Sequence, residues 1–369
     1  MKSAASSDRL LSLDFFRGAT LASMVLVNDP GSWQHIYPQL EHAEWNGWTF
    51  TDTVFPFFIW IAGVALTISF AKRLERGDSR RAMFFHVLRR SLLIFAIGVF
   101  LNGFPYFHLS RIRYLGVLQR IAICYLISAS LFLMLKLRGL IIATVALLST
   151  YWLLMMLVPV PGCGAGHLDK DCNFAKYVDG LFLTGHMWSQ TKVWDPEGLV
   201  STLPAIATML FGILTGYLLR MNRPPLDKTI RLLTCGVSLL LTGEIMNIWL
   251  PINKNLWTSS YSVFMAGLAT VVFAVCYWIV DVKRWQRWSH FFTIYGRNAL
   301  AVFISTGIIG RLLGIVKVGD GSLATWIYET LFAPLASPIN ASLLYAIANV
   351  LFFFLIVYAM YRRGWFFRV

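Results

Sequence analysis

The chain has 369 residues, of which 57% are hydrophobic and only 14% charged, with a mean hydropathy of +0.63. Soluble domains carry about a quarter charged residues, so this composition excludes a soluble globular enzyme and specifies an all-α, polytopic membrane protein. The net charge of +14 does not point to nucleic acid, because the positive residues punctuate the apolar segments rather than forming one patch.

Apolar runs of roughly 17–25 residues, enough to cross a bilayer, recur about ten times. They lie near 11–28, 50–71, 84–102, 114–135, 139–158, 199–219, 229–250, 260–280, 291–315 and 339–361. With the N-terminus inside, alternate connections hold Lys2 and Arg9; Lys72, Arg73, Arg76, Arg80, Arg81, Arg89 and Arg90; and Lys136 and Arg138. They continue with Arg220, Arg223, Lys228 and Arg231; Lys283, Arg284 and Arg287; and Arg362, Arg363 and Arg368. The opposite face holds Arg111, Arg113, Lys170, Lys176, Lys192, Lys254 and Lys317. Counting these gives 21 against 7, and the positive-inside rule puts both termini in the cytoplasm. The first apolar run lacks a small-residue cleavage site and continues into polar Asn28 and Asp29, so no cleavable signal peptide is expected.

The expected organisation is one transmembrane domain over residues 1–369, with the outer-face loop 159–198 as an elaboration. No internal repeat of 20–50 residues is visible. That loop holds Cys163 and Cys172 in PGCGAGHLDKDC, where a disulfide is expected and free thiols are the alternative. Cys124, Cys235 and Cys276 fall within spans and read as packing residues. The apolar stretch 318–338 reads as either an outer loop or a re-entrant hairpin.

Ionisable residues in lipid are costly and need a partner or a purpose. Asp14 and Arg17, three apart on the first span, form either a local ion pair or part of a site. Asn28 ends that span, as a cap or as an oxyanion donor. Asp52 opens the second span after Thr49 and Thr51, where helix capping competes with a functional role. Gln119 and Arg120 sit together inside a span. Glu244 and Asn247 are three apart on the seventh, and Arg297 and Asn298 open the ninth. Together they suggest a hydrated interior, which a transporter would also show. His42 stands ahead of the turn Trp45-Asn46-Gly47-Trp48, whose rings suit a membrane interface or a sugar face. A lone loop histidine is usually a solvated surface group, yet histidine is also the base best suited to neutral pH. No P-loop, HExxH, GxSxG or Cys/His metal spacing occurs, so no metal is expected.

RLLSLDFFRGATLASMVLVNDPG, HAEWNGWTFTDTVFPFFIWIAG, LGVLQRIAICY, WDPEGLVSTLPAIATMLFG and PINKNLWTSSYSVFMAG occur in that order. They resemble the successive motifs of the heparan-α-glucosaminide N-acetyltransferase family, and most of all its bacterial NagX-type acyltransferases. The resemblance implies a multi-pass enzyme of a bacterial inner membrane. Such an enzyme moves an acetyl group from cytosolic acetyl-CoA, its co-substrate, to the amine of a glucosamine-type sugar or glycan end at the outer face. It implies a homodimer as well. It assigns the family's histidine to His42 and its asparagine to Asn28. This chain departs from the lysosomal member in lacking that protein's large luminal N-terminal region and extra first helix, which shifts the expected acceptor toward smaller amino sugars or envelope glycans.

Acyl transfer to an amine needs a base, an oxyanion donor and exclusion of water. The expected catalytic set is His42 as base, Asp52 or Asp14 to orient it, and Asn28 for the oxyanion; a route through acetylated His42 is the alternative. Arg17, Arg90, Arg120, Arg297 and Asn298 are the candidate CoA-binding residues. Trp45, Asn46, Trp48, Glu244 and Trp257 are the candidate sugar-binding residues. Two other functions fit the same polar interior: an amino-sugar transporter and an O-acyltransferase for envelope polysaccharide.

Overall fold

The computed structural model describes residues 10–367, so Lys2, Arg9 and Arg368 lie outside the described residues. Thirteen helices follow one another along the described chain. They are α1 (Leu11–Asn28), α2 (Phe50–Glu75), α3 (Arg80–Gly103), α4 (Val117–Met134), α5 (Leu137–Leu157), α6 (Phe174–Phe182) and α7 (Thr202–Arg220). The second half holds α8 (Pro225–Asn247), α9 (Ser259–Tyr277), α10 (His290–Arg297), α11 (Ala299–Ile315), α12 (Leu323–Ile327) and α13 (Pro338–Arg362). Local chemistry sets several starts. Ser79 caps α3 by accepting from Ala82 N at 3.2 Å, Asn173 caps α6 through Lys176 N at 2.8 Å, and prolines sit at the starts of α8 and α13, where a missing N–H costs nothing.

Each of the ten expected spans contains a helix. Eight are long and apolar enough to cross a membrane alone: α2 to α5, α7, α8, α9 with its wider continuation to Val282, and α13. The pair α10 and α11 forms a ninth if taken as one span, bent by 78° at Asn298. α1 has 18 residues, carries Asp14, Arg17 and Asn28, and is not among these eight. The protein is an all-α, multi-pass membrane protein. Segment 318–338 is a set of short turns: a two-residue β-pair joining Lys317–Val318 to Gly321–Ser322, then α12 and tight turns to Leu335.

The buried centre is formed by α2, α4, α7 and α9, around Ile59, Leu66, Met209, Trp257 and Tyr261. Beside it, Phe16, Trp60 and Phe273 join α1, α2 and α9, with ring centroids 5.4–6.0 Å apart. α3, α5, α8 and α13 turn Leu93, Leu153, Leu241 and Leu355 outward, the pattern of helices whose apolar faces meet lipid rather than protein. Glu244 lies exposed near one end of α8, bonded to Asn247 on the same helix at 3.4 Å. It is therefore on the outside of the bundle and not in a polar interior.

Glycines permit the closest helix contacts, as is common when no hydrophobic effect drives helices together in lipid. A side chain at Gly63 would collide with the Met209 carbonyl, and one at Gly212 with the Trp60 carbonyl, so α2 and α7 cross backbone to backbone. Gly212→Leu should therefore cost more than the about 1–3 kcal/mol of ordinary overpacking, measured as thermal unfolding in detergent. Gly314→Leu, at a helical glycine with open space around it, should leave the unfolding temperature near that of wild type.

Candidate functional site

Successive spans run in opposite directions, so the segments 29–49, 104–116, 158–201 and 248–258 meet at one end of the bundle. Gly47 N donates to Ile252 O at 2.7 Å, and Asn253 Nδ2 donates to Asn46 Oδ1 at 3.1 Å. Trp45 Nε1 donates to Leu168 O at 3.0 Å and its ring stands edge-on to Trp194. The longest loop carries the Cys163–Cys172 disulfide and α6.

The start of α2 organises this end. Thr49 and Asp52 form a reciprocal capping box, with Asp52 Oδ2 accepting from Thr49 N at 3.0 Å. The same oxygen accepts from Ala43 N at 3.0 Å, which folds the His42 segment back over the helix start. The other oxygen, Oδ1, meets His42 Nδ1 at 2.6 Å. An ionised carboxylate only accepts, so Nδ1 carries the proton, and in the neutral ring Nε2 keeps the lone pair. Asp52 is buried, while the His42 side chain is about half exposed, at 49%. Capping and histidine orientation are therefore not competing roles: one carboxylate performs both.

The main chain of Asp52 is fixed as well. Pro56 lies inside α2 and has no N–H for the carbonyl four residues earlier, which belongs to Asp52. The buried Tyr261 hydroxyl on α9 donates to that carbonyl instead.

Behind the dyad lies an ion network that sequence reasoning missed. Arg113 Nε donates to Asp195 Oδ2 at 2.8 Å, and its Nη2 contacts both Asp195 Oδ1 and Glu197 Oε2. Burial pushes Glu197 up, but Arg113, Lys254 and Arg120 outweigh it and hold the carboxyl below its ordinary range. Lys254 is close enough to act on both Glu197 and Asp52. Asp179 on α6 accepts from Leu199 N at 3.0 Å and Asp195 N at 3.2 Å, yet burial still pushes it up to about 6. The signal available in the sequence was the acidic pair of WDPEG, two residues apart beside a loop that supplies an arginine.

The other expected site residues divide by position. Asn28 and Asp29 border a cavity of about 210 Å³ with Asn102, Arg113, Gln119 and Arg311; His42 is not among its lining residues. Trp48 keeps an exposed ring face and leans on Phe264. Trp257 is fully buried, donates to Thr208 Oγ1 at 3.2 Å and lies under the Arg120 guanidinium, so it has no face to offer a sugar. Arg120 is buried and bonded to Gly198 O and Ser201 Oγ, with Nε and Nη1 unpartnered among the described residues.

Asp14 bonds Arg17 at 3.2 Å. It lies fourteen residues from Asn28, or about 21 Å along α1, so it belongs to the opposite end and Asp52 alone orients His42. Arg297 is near Asp14, because α10 abuts α1 at Gly296, and its guanidinium covers Tyr361. Both ends of the Asn298 amide are taken by the C-terminal segment, Nδ2 by Trp365 O and Oδ1 by Phe367 N. Asn298 is fully buried at the bend between α10 and α11, and its amide serves the C-terminal segment. Arg90 packs over Tyr125 at 4.8 Å. No cluster of three or more His, Cys, Asp or Glu suited to a metal occurs among the described residues.

The fold and this end of it define a multi-pass membrane protein that presents an oriented, half-exposed histidine at the mouth of a helix bundle. The catalytic family of heparan-alpha-glucosaminide N-acetyltransferase matches residues 9–231. Heparan-alpha-glucosaminide N-acetyltransferase from Mus musculus is 30% identical over 361 residues, covering 82% of this chain and 54% of the mouse protein. The protein of the same name from Homo sapiens is 31% identical over 350 residues, covering 80% and 52%. The chain belongs to this family. It spans about half the length of the curated relatives it matches.

Tyr261→Phe removes no reacting group but leaves the Asp52 carbonyl unpaired, which should cost about 1–3 kcal/mol in thermal unfolding. Arg113→Ala should cost more, about 3–5 kcal/mol, because two buried carboxylates lose their cation. Arg113→Lys should recover only part of this in the same melts, since an ammonium cannot reproduce the forked contact.

Proposed function

We propose that the protein is an acetyl-CoA-dependent N-acetyltransferase that acetylates the amine of a glucosamine-type sugar, with His42 as general base. The observation that carries this reading is the His42–Asp52 pair: Asp52 fixes the ring through Nδ1, and Nε2 of the half-exposed ring is left without a protein partner among the described residues. Family membership supports the substrate class, since the relatives are named for glucosaminide N-acetylation.

The chemistry follows from that geometry. Nε2 accepts a proton from the acceptor nitrogen as the nitrogen attacks the thioester carbonyl. Asp52 stabilises the imidazolium that forms. The carbon–sulfur bond then breaks, and the CoA sulfur leaves with the proton returned from His42. The tetrahedral oxyanion needs a donor; Asn28, at the same end of α1, is the residue proposed for it. Trp48 keeps an exposed ring at the same end of the bundle.

The co-substrate's phosphates need cations. Arg17 and Arg297 near the far end of the bundle supply them in this reading, with Arg90 and Arg120 along the way. Arg90 and Arg297 each keep a buried Nε without a hydrogen-bond partner among the described residues, which suits groups available to a ligand. Charge counting favours the His42 end as the outer face of a bacterial inner membrane, with the thioester arriving from the cytoplasm.

Purified protein in detergent, given labelled acetyl-CoA and glucosamine, should form labelled N-acetylglucosamine. His42→Ala should lower the rate by roughly 10²–10⁴-fold, the range for loss of a general base, with an unchanged unfolding temperature. Wild-type rates from His42→Ala would overturn the assignment.

A further inference from the structure

The cavity between α1, α3, α4 and α11 holds polar groups that the histidine chemistry does not use. Gln119 is buried, at 1% exposure, and lines the cavity. Its Oε1 packs where Gly98 and Gly116 lack side chains; a Cβ at Gly98 would come within 2.5 Å of it. Its Nε2 has no acceptor among the described residues. A buried amide donor left unpaired is costly, and a ligand oxygen in the cavity would remove that cost.

Two opposite charges share the same walls. The Asp29 carboxylate receives no hydrogen bond among the described residues, and burial alone pushes it up to about 6. Arg311 bonds only its own helix, at Gly307 O, 3.1 Å away. The two do not pair with each other, since no ion pair within 4.0 Å joins them among the described residues. Arg113, the third charge on the wall, is already neutralised by Asp195 and Glu197. The cavity therefore presents a free anion on one side and free donors on the other. Its volume of about 210 Å³ is below the roughly 300 Å³ at which drug-sized pockets begin. One sugar ring suits it better than a nucleotide.

Resting on the acetyltransferase reading, we infer that this cavity is the acceptor pocket and that Asp29 makes it selective for a cationic hexosamine. Gln119 Nε2 and Arg311 donate to the sugar oxygens. The field of Asp29 attracts the protonated amine, which gives one proton to solvent before it reacts; His42 takes the second as the nitrogen attacks and returns it to the CoA sulfur. Acetylation converts the cation into a neutral amide, so the product loses the attraction that held the substrate, which promotes its release. A neutral pantetheine arm has no use for the carboxylate, and a CoA phosphate would be repelled by it.

The test combines binding with kinetics on the detergent-purified protein. Glucosamine should raise the unfolding temperature of wild type more than N-acetylglucosamine does, and Asp29→Asn should abolish the difference. In steady state, Asp29→Asn should raise KM for glucosamine roughly 10–100-fold, the worth of one charge-assisted hydrogen bond. KM for acetyl-CoA should rise far less, and Asp29→Glu should restore part of the sugar affinity. A rise in KM for acetyl-CoA instead would place the pantetheine arm here and overturn the inference. Unchanged sugar affinity in a folded Asp29→Asn protein would overturn it equally. Asp29-dependent glucosamine binding without any acetyl transfer by wild type would support the pocket while refuting the acetyltransferase reading, so the two failures are distinguishable.

Discussion

The structure turns on one carboxylate. Asp52 closes the first turn of α2, pins the loop of residues 41–49 through the main chain of Ala43 and Thr49, and holds His42 by its Nδ1. Each bond uses an oxygen that a carboxylate has to spare, and none competes with another. The proline one turn later frees the Asp52 carbonyl, which draws in Tyr261 from α9. The histidine is thus referenced to two spans rather than to its loop alone, the condition for placing a side chain accurately.

The membrane explains why such referencing is needed. In lipid, a helix can give up a main-chain hydrogen bond only where another group replaces it, and the Tyr261 hydroxyl does so at the one position where Pro56 creates the gap. The loops at this end repeat the principle. Arg113 gathers Asp195 and Glu197, Asp179 gathers two main-chain N–H groups, and Asn46 pairs with Asn253. Such an end is held by directional polar contacts over an apolar core, and its side chains are set by geometry more than by packing.

Much of this was legible in the sequence, for physical reasons. Apolar runs of bilayer length located every span, because lipid permits little else. Asp52 was one of two carboxylates expected to orient His42, Asp14 being the other. What was not legible was three-dimensional pairing. Asp14 and Asp52 are both aspartates in the first turn or so of a helix, and only the antiparallel arrangement of α1 and α2 puts Asp14 at the wrong end. Trp257 looked like a surface ring beside a polar loop, yet it is buried beneath Arg120. Glu244 looked like an interior charge, but its helix faces outward there. Asn298 looked like a ligand, and it is a fully buried amide bonded to the returning C-terminus. Arg113, Asp29 and Arg311 gave no periodic signal, because their significance lies in which helices bring them together.

In the proposed acetyl transfer, Asp52 acts through His42 and not independently of it. Acetyl-transfer rates of His42→Ala, Asp52→Asn and the double variant, measured on folded protein at one pH, form a double-mutant cycle that isolates this coupling. If Asp52 orients the histidine, Asp52→Asn slows wild type strongly and adds almost nothing once His42 is gone. Losses that simply multiply in the double variant would show that the two residues act separately, and the account built on their hydrogen bond would be wrong.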